Sequence, residues 1–548
     1  MRKGFLVVAA TLFHTIVLNA QQPVQSHFDG QSWWSYVKVL ADDNMEGRET
    51  GSAGLRRAEA FVVEQITKAG LIPAGTDGFY QSIKFSQRQV DEKDSAAALV
   101  RDGKTSPLIL GEDAYFSTRG DLGPEEITAL LVFVGNGLKI AEKNLDELAG
   151  LDLNHKIVVY VTGSPADIPG PLSATFSSIE ERWRALKAAG AIGYIVIPNP
   201  ASQEIPWSRI TLNRTQPTMD LAAPEFNETG GLQLAMIFNS EKAEKLFAGS
   251  GHTFAEIASL AKDRKPLPRF PLSVALKAHR TIVKSELESS NVIAKLPGRD
   301  PALKDEYVVL SAHIDHIGIG APINGDNIYN GAMDNGSGSA LLLDEANELK
   351  SHSEKLRRSI LFVFVTGEEK GLLGSKYFAA HPTVDPHSMI ANINTDMFLP
   401  IIPLKLIVIQ GLAESDLGDR SASVVQSFGV KPIADPFPLH NYFVRSDQYS
   451  FVRRGIPAVA LEIGAEPKTP EAQLIGSWLA TRYHAPSDDT NQPVNLASAS
   501  LFEEIVRELL VNTANADSKP QWKSDSFFRR FTKSNREMQV EEPALQGR

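Results

Sequence analysis

Between residues 307 and 489 the chain holds five short stretches whose side chains could do chemistry together. His313-Ile314-Asp315 follows an apolar run at 307–312. Asp334 sits in the Gly-rich turn Asn330-Gly331-Ala332-Met333-Asp334-Asn335-Gly336-Ser337-Gly338. Glu368-Glu369 follows the apolar run 360–365, Asp396 follows 389–394, and His484 lies in Tyr483-His484-Ala485-Pro486-Ser487-Asp488-Asp489. Two histidines with several carboxylates suit a catalytic Zn²⁺ or similar divalent ion. The chain has no cysteine, which removes thiolate sites, thiol nucleophiles, disulfides and iron–sulfur clusters. A pair of ions needs a bridging carboxylate, and an Asp in a Gly-rich turn can be approached from both sides. Asp315, two residues beyond His313, projects to the same face and is placed to orient that imidazole through its second ring nitrogen. Adjacent Glu368 and Glu369 can divide labour, one coordinating and the other taking a proton from the attacking water. Their positions alone do not say which does which. Each stretch by itself is ordinary: a Glu-Glu pair is most often a solvated turn and a lone His a satisfied surface residue. The chemistry lies in their occurring together.

The elements that must position them read as alternating strands and helices. The runs 307–312, 360–365, 389–394, 404–409 and 457–463 predict strands, with helical patterns between them, as at 338–350. Such alternation argues for an α/β fold with a mixed, largely parallel sheet flanked by helices. Open sheets of this kind collect ligand sites at the carboxyl ends of their strands, so residues spread from His313 to His484 can converge. This catalytic unit is expected over 270–515. Before it, 21–122 reads as an N-terminal part of the same unit, with a helix from Leu55 to Ala69 and exposed strands over 79–117. A second unit, 123–269, carries strand runs at 129–135, 156–161 and 191–197 and a helix near 178–190. It holds few candidate catalytic residues. From 516 to 548 the chain is polar, with Lys523, Arg529, Arg530, Lys533 and Arg536, and a solvated tail with at most one short helix is expected.

Composition bounds the rest. With 548 residues, 43% hydrophobic and 22% charged, the chain is globular and long enough for more than one domain. Its net charge of -11 is a poor match for nucleic acid, which needs a basic face. The opening Met1-Arg2-Lys3, the apolar run to Leu18 and the small residue Ala20 read as a secretory signal over 1–20. The run is shorter than the ~20 residues of a spanning helix, and no other stretch could span, so no membrane span is expected in the mature chain. An exported chain without cysteine fits a bacterial periplasm or the medium.

Several of these stretches resemble, in order and wording, the zinc aminopeptidases of the M28 peptidase family, especially members carrying a protease-associated (PA) domain insertion. They are Ser311-Ala312-His313-Ile314-Asp315-His316-Ile317-Gly318, 330–340, Thr366-Gly367-Glu368-Glu369-Lys370-Gly371-Leu372-Leu373-Gly374-Ser375, Asn392-Ile393-Asn394-Thr395-Asp396, Arg445-Ser446-Asp447-Gln448-Tyr449-Ser450-Phe451, Tyr483-His484, and the early Met45-Glu46-Gly47-Arg48-Glu49-Thr50-Gly51-Ser52. The resemblance covers roughly 33–515. It implies a zinc-dependent exopeptidase fold, two Zn²⁺ per chain and a peptide substrate with a free N-terminus. By the same resemblance Asp334 bridges the ions, His313 and Asp396 complete one site, and Glu369 and His484 complete the other. Glu368 is then the general base, Asp315 supports His313, and Arg445 and Tyr483 help polarise the scissile carbonyl. The second unit becomes a β-rich PA domain that covers or shapes the cleft. Gln448 departs from the His of many relatives, which bears on a substrate-pocket contact and not on the metals. Rival readings are a glutaminyl cyclase of the same fold, which uses one zinc, a carboxypeptidase, which wants basic residues for the substrate carboxylate, and a non-catalytic peptide-binding protein. The joint presence of His313 and Asp396 argues against the first, and the intact ligand set against the last.

Overall fold

Strands that are apolar at every position must be covered on both faces, and the centre of the sheet is built from such strands. The computed structural model describes residues 27–118, 123–203, 205–351, 356–437, 440 and 442–532. The expected export segment lies outside them, as do Lys533 and Arg536. Tyr307–His313, Ser359–Val365 and Met389–Asn394 are buried throughout. They run parallel to one another and to Ala458–Gly464, while Leu406–Gln410 and the end of Phe270–Leu296 flank them antiparallel. Alternate residues feed two cores. Val308, Leu310 and Ala312 face the helices Gln31–Leu40, Ala53–Lys68, Gly338–Ser351 and Leu496–Asn515. Tyr307, Val309 and Val363 face Phe378 and Phe451 on the opposite side. The mixed, largely parallel sheet between helical layers is the architecture expected from the alternation of runs.

The second unit is an α/β layer in its own right. Glu126–Phe133, Ile157–Val161, Gly193–Ile197 and Leu234–Phe238 are parallel neighbours. One face packs Phe133, Val159 and Met236 against Phe247 and Ile257, and the other packs Val158 and Tyr160 against Trp183 and Leu186. Its edge strand is Ala114–Ser117, which pairs with Leu234–Phe238, so the unit draws in residues that precede 123. Two long antiparallel strands, Tyr80–Arg101 and Phe270–Leu296, tie the units together. Phe270–Leu296 pairs with Glu126–Phe133 near its start and with Ser359–Val365 at its end, making a single sheet of both units.

The expectation of a solvated tail after 515 is corrected for its described part. Phe528 is fully buried among Tyr449, Val452 and Ala458, with Trp522, Phe527 and Phe531 packed around it. Phe527 also meets Phe176 of the second unit, with ring centroids 6.2 Å apart. The aromatic residues are interleaved with Lys523, Arg529 and Arg530, and those charges dominate the local composition.

Candidate active site

The five stretches converge at the carboxyl ends of the parallel strands. Tyr307–His313 ends on His313 itself, and Asp396 stands two residues beyond Met389–Asn394. Asp334 lies in the turn that opens Gly338–Ser351, and its peptide bond to Asn335 is cis. Asp334 faces two ways. Its Oδ1 is 3.4 Å from His313 Nε2, and its Oδ2 is 3.2 Å from His484 Nε2. Asp396 Oδ1 is 3.3 Å from His313 Nε2, and Glu369 Oε2 is 3.3 Å from His484 Nε2. Glu368 Oε2 stands 4.0 Å from His313 Nε2.

These spacings test whether the residues fit metal ions. A charge-assisted N–H···O bond closes to about 2.7–2.9 Å. Two ligands of one tetrahedral Zn²⁺, each about 2.0–2.1 Å from the ion, stand about 3.4 Å apart. The four imidazole–carboxylate spacings fall at the second distance. Asp334 Oδ2 is moreover buried without a hydrogen-bond partner, as a ligand oxygen would be. The donor set of imidazole and carboxylate suits zinc. The residues therefore fit divalent-metal ligation in two groups, His313 with Asp334 and Asp396, and Asp334 and Glu369 with His316, with His484 also at ligand spacing from the latter two carboxylates.

A further histidine, His316, belongs to the cluster although the sequence reading gave it no role. It is fully buried, its Nδ1 lies 2.7 Å from Glu369 Oε1, and with Asp334 and Glu369 it forms a group able to hold a metal ion. Its Nδ1 is also 3.9 Å from Asp334 Oδ2. Its place in His313-x-x-His316 was the available signal.

Asp315 acts by a route other than the expected one. His313 Nδ1 meets the backbone carbonyl of Asp315 at 3.0 Å, whereas the Asp315 carboxylate is 3.9 Å away. That carboxylate accepts from Thr50 Oγ1 at 2.9 Å and from the Glu368 backbone N–H at 3.1 Å. It thus fixes the Glu368 turn, while its own carbonyl sets the His313 ring. The N-terminal Arg48-Glu49-Thr50 performs the matching task. Buried Arg48 donates to the carbonyls of Ile314, Asn330 and Gly331 at 2.6–2.8 Å, and Glu49 pairs with Lys370 at 3.1 Å. Asp488, four residues past His484, accepts from the backbone N–H groups of Met333 and Asp334 at 3.0 Å. Ser446 Oγ donates to Asp396 Oδ2 at 2.6 Å. Gln448 is buried and bridges Asn394 Nδ2 (3.0 Å) to the carbonyl of Phe443 (3.1 Å), so it holds the 443–446 loop.

The charges press on one another strongly. Burial opposes the charged form of His313, but Asp396 and Glu368 outweigh it and hold its pKa well above the usual value. Burial alone would raise Asp334, yet His316, His313 and His484 hold it well below the carboxylate range. Glu368 is pushed well up, first by burial and then by Asp396 and Glu369. Burial and the field of Asp334 raise the Tyr483 phenol well above its usual value, so its hydroxyl stays a donor. Its ring centroid lies 3.9 Å from that of His484, with the two planes tilted by 34°. Arg445 is exposed at the cleft rim, its Nη1 on the carbonyl of His440 at 3.1 Å.

A cleft of about 400 Å³ opens from Asp334, Glu368 and Asp396. Met397, Leu399, Ile463, Ile475 and Leu479 give it an apolar wall, and Tyr483 and Arg445 lie on it. The second unit reaches this corner directly: Arg209 donates to the backbone carbonyls of Tyr483 and Ala480.

Comparisons with known proteins bear on the family and the fold. Residues 291–510 match the model of Peptidase family M28. The probable leucine aminopeptidase 2 of Aspergillus fumigatus is 35% identical over 210 residues, 36% of this chain and 39% of that protein. Aminopeptidase Y of Saccharomyces cerevisiae is 29% identical over 206 residues, 37% of this chain and 35% of that protein. This chain thus spans under two fifths of either relative's length. Among solved structures, an aminopeptidase from Aneurinibacillus sp. strain AM-1 shares the fold over 89% of this chain and 94% of its own, with a TM-score of 0.53 at 18% identity.

Proposed function

We propose that the protein is an exported dinuclear zinc aminopeptidase, with the second unit corresponding to the PA insertion of M28 relatives. The observation that carries this reading is Asp334, whose two oxygens face separate imidazole–carboxylate pairs. His313 and Asp396 would hold one ion and Glu369 and His484 the other, with Asp334 shared. When bound, such a pair polarises the scissile carbonyl and acidifies water. Glu368 takes a proton from the attacking water and delivers it to the leaving amine. Its turn is pinned by Asp315. The Tyr483 hydroxyl, held protonated, donates to the developing oxyanion, with Arg445 as a second donor from the rim. The substrate's free amine is drawn to the carboxylates of Glu368 and Asp396, and the apolar wall takes the first side chain. That wall, and the names of the fungal relatives, favour leucine-like residues.

The test is hydrolysis of leucine p-nitroanilide, its N-acetyl derivative, and N-acetylated peptides with free carboxyl ends. The reading predicts turnover of the unblocked substrate alone. Cleavage of blocked and unblocked substrates alike, or release of C-terminal residues from the acetylated peptides, contradicts it.

A further inference from the structure

The second unit has a crevice of its own at the carboxyl ends of its parallel strands, where open sheets place ligand sites. Asn136 follows Glu126–Phe133, Thr162-Gly163-Ser164 follows Ile157–Val161, and Asn199 follows Gly193–Ile197. These residues enclose a cavity of about 240 Å³ together with Arg182, Arg264 and Lys265. Among its described lining residues there is no carboxylate, although the chain as a whole carries a net charge of -11.

Arg182 is the informative side chain. It is 5% exposed. Its guanidinium lies 4.3 Å from the Tyr160 ring centroid, and its Nη1 donates to the Ser177 carbonyl at 2.7 Å. Its Nε and Nη2 are buried without a hydrogen-bond partner, as is the hydroxyl of Ser177. Glu147, whose charge is felt near Arg182, turns its carboxylate to the Leu138 N–H at 2.8 Å. Unsatisfied donors on a buried cation are costly, and a planar fork of N–H groups fits a carboxylate. Arg264 also lines the cavity, its Nη2 on the Pro165 carbonyl at 3.1 Å, and Lys265 is exposed, its Nζ paired with Asp263 Oδ2 at 3.1 Å.

This cavity and the catalytic cleft share Arg445 on their walls. Resting on the aminopeptidase reading, we infer that the basic crevice receives the C-terminal carboxylate of short peptide substrates. A zwitterionic peptide then lies along a charge gradient. Its amine meets Glu368 and Asp396, and its carboxylate meets Arg182 and its neighbours. The enzyme is thereby selective for peptides whose length spans the two crevices.

The experiment compares kcat/KM for leucine-led peptides of two to five residues as free acids and as C-terminal amides. It is run on the wild type, Arg182→Gln and Lys265→Gln, with leucine p-nitroanilide as control. At one length the free acid is expected to exceed the amide by about tenfold or more, as for a charge-assisted contact. That ratio falls toward one in Arg182→Gln and falls partway in Lys265→Gln, whose exposed side chain leaves folding undisturbed. Turnover of every substrate with a ratio near one at all lengths overturns the inference and leaves the aminopeptidase reading standing. A preference unchanged in both variants places the carboxylate elsewhere and overturns it too. No turnover of any leucine substrate, the p-nitroanilide included, overturns both.

Discussion

The molecule has two crevices built on the same plan and furnished with opposite chemistry. In each, parallel strands end in loops that face inward from the carboxyl edge. In the catalytic unit those loops deliver His313, Asp334, Glu368, Glu369, Asp396 and His484. In the second unit the same edge delivers asparagines and hydroxyls, joined by Arg182 of the helix Ile179–Ala188 and Arg264 beyond Phe254–Lys262. Topology therefore supplies a place, and only side chains supply a function. A second contrast lies in the support. The acidic crevice is braced by buried hydrogen bonds from distant chain segments: Arg48, Thr50 and Asp488 tie down the loops that carry its candidate ligands. The basic crevice keeps unsatisfied donors on Arg182. The first is organised for chemistry that needs fixed geometry, the second for a charged group that arrives from outside.

The comparison can be broken most severely at the shared carboxylate. Asp334→Ala is expected to lower the content of both metals and abolish turnover, whereas substitutions in the basic crevice leave metal content intact; elemental analysis of each variant checks this. Glu368→Gln separates base from ligand. Turnover should fall about 10²–10⁴-fold with metal content unchanged, and retained activity would remove Glu368 from its assigned role. Thr50→Val sharpens the support argument. Losing the bond to Asp315 should cost about 10–100-fold in activity or metal affinity, as for other groups that orient ligands, with the fold retained by circular dichroism.

The smallest effect concerns buried acids that no crevice uses. Glu345 and Glu503 are fully buried, and burial raises both well above the carboxylate range. Burial also raises neighbouring Asp344 from 3.8 to about 6. A carboxyl whose pKa rises on folding keeps its proton in the native state after the unfolded state has lost it. Stability is then lost as pH climbs past the unfolded value, for Asp344 between 3.8 and about 6. Glu345→Gln removes part of this cost. Its advantage over wild type in denaturant unfolding should be near zero at pH 4 and grow to about 1–3 kcal/mol at pH 8. A constant difference across pH contradicts the assignment.

What could be read without coordinates follows from the range of the interactions. The catalytic strands were legible because each is a continuous apolar run: 307–312, 360–365 and 389–394 agree with the observed strands to within a residue. His313, Glu368, Glu369 and Asp396 were legible as candidates because they follow those runs, whereas Asp334 stood out in a Gly-rich turn and His484 in a separate loop. The bracing was not, because Thr50 and Asp315 are separated by 265 residues and no local pattern encodes their contact. Phe270–Leu296 escaped as a single element because its middle, from Thr281 to Glu288, mixes apolar with charged residues and is partly to fully exposed. The basic crevice escaped because Arg182 lies within the helix Ile179–Ala188 while Arg264 and Lys265 follow the distant helix Phe254–Lys262, and no periodicity joins them. Phe528 was hidden for the reason already given for the tail: charge beside an aromatic residue masks it.

The central claim is tested most directly by stripping the purified chain with a chelator and titrating Zn²⁺ back. Bound metal and hydrolysis of leucine p-nitroanilide are followed together. The account predicts binding that saturates near two zinc per chain, with full activity reached only as the second site fills. Saturation at one zinc with cyclisation of N-terminal glutamine, or zinc binding without any peptide-bond hydrolysis, would contradict it.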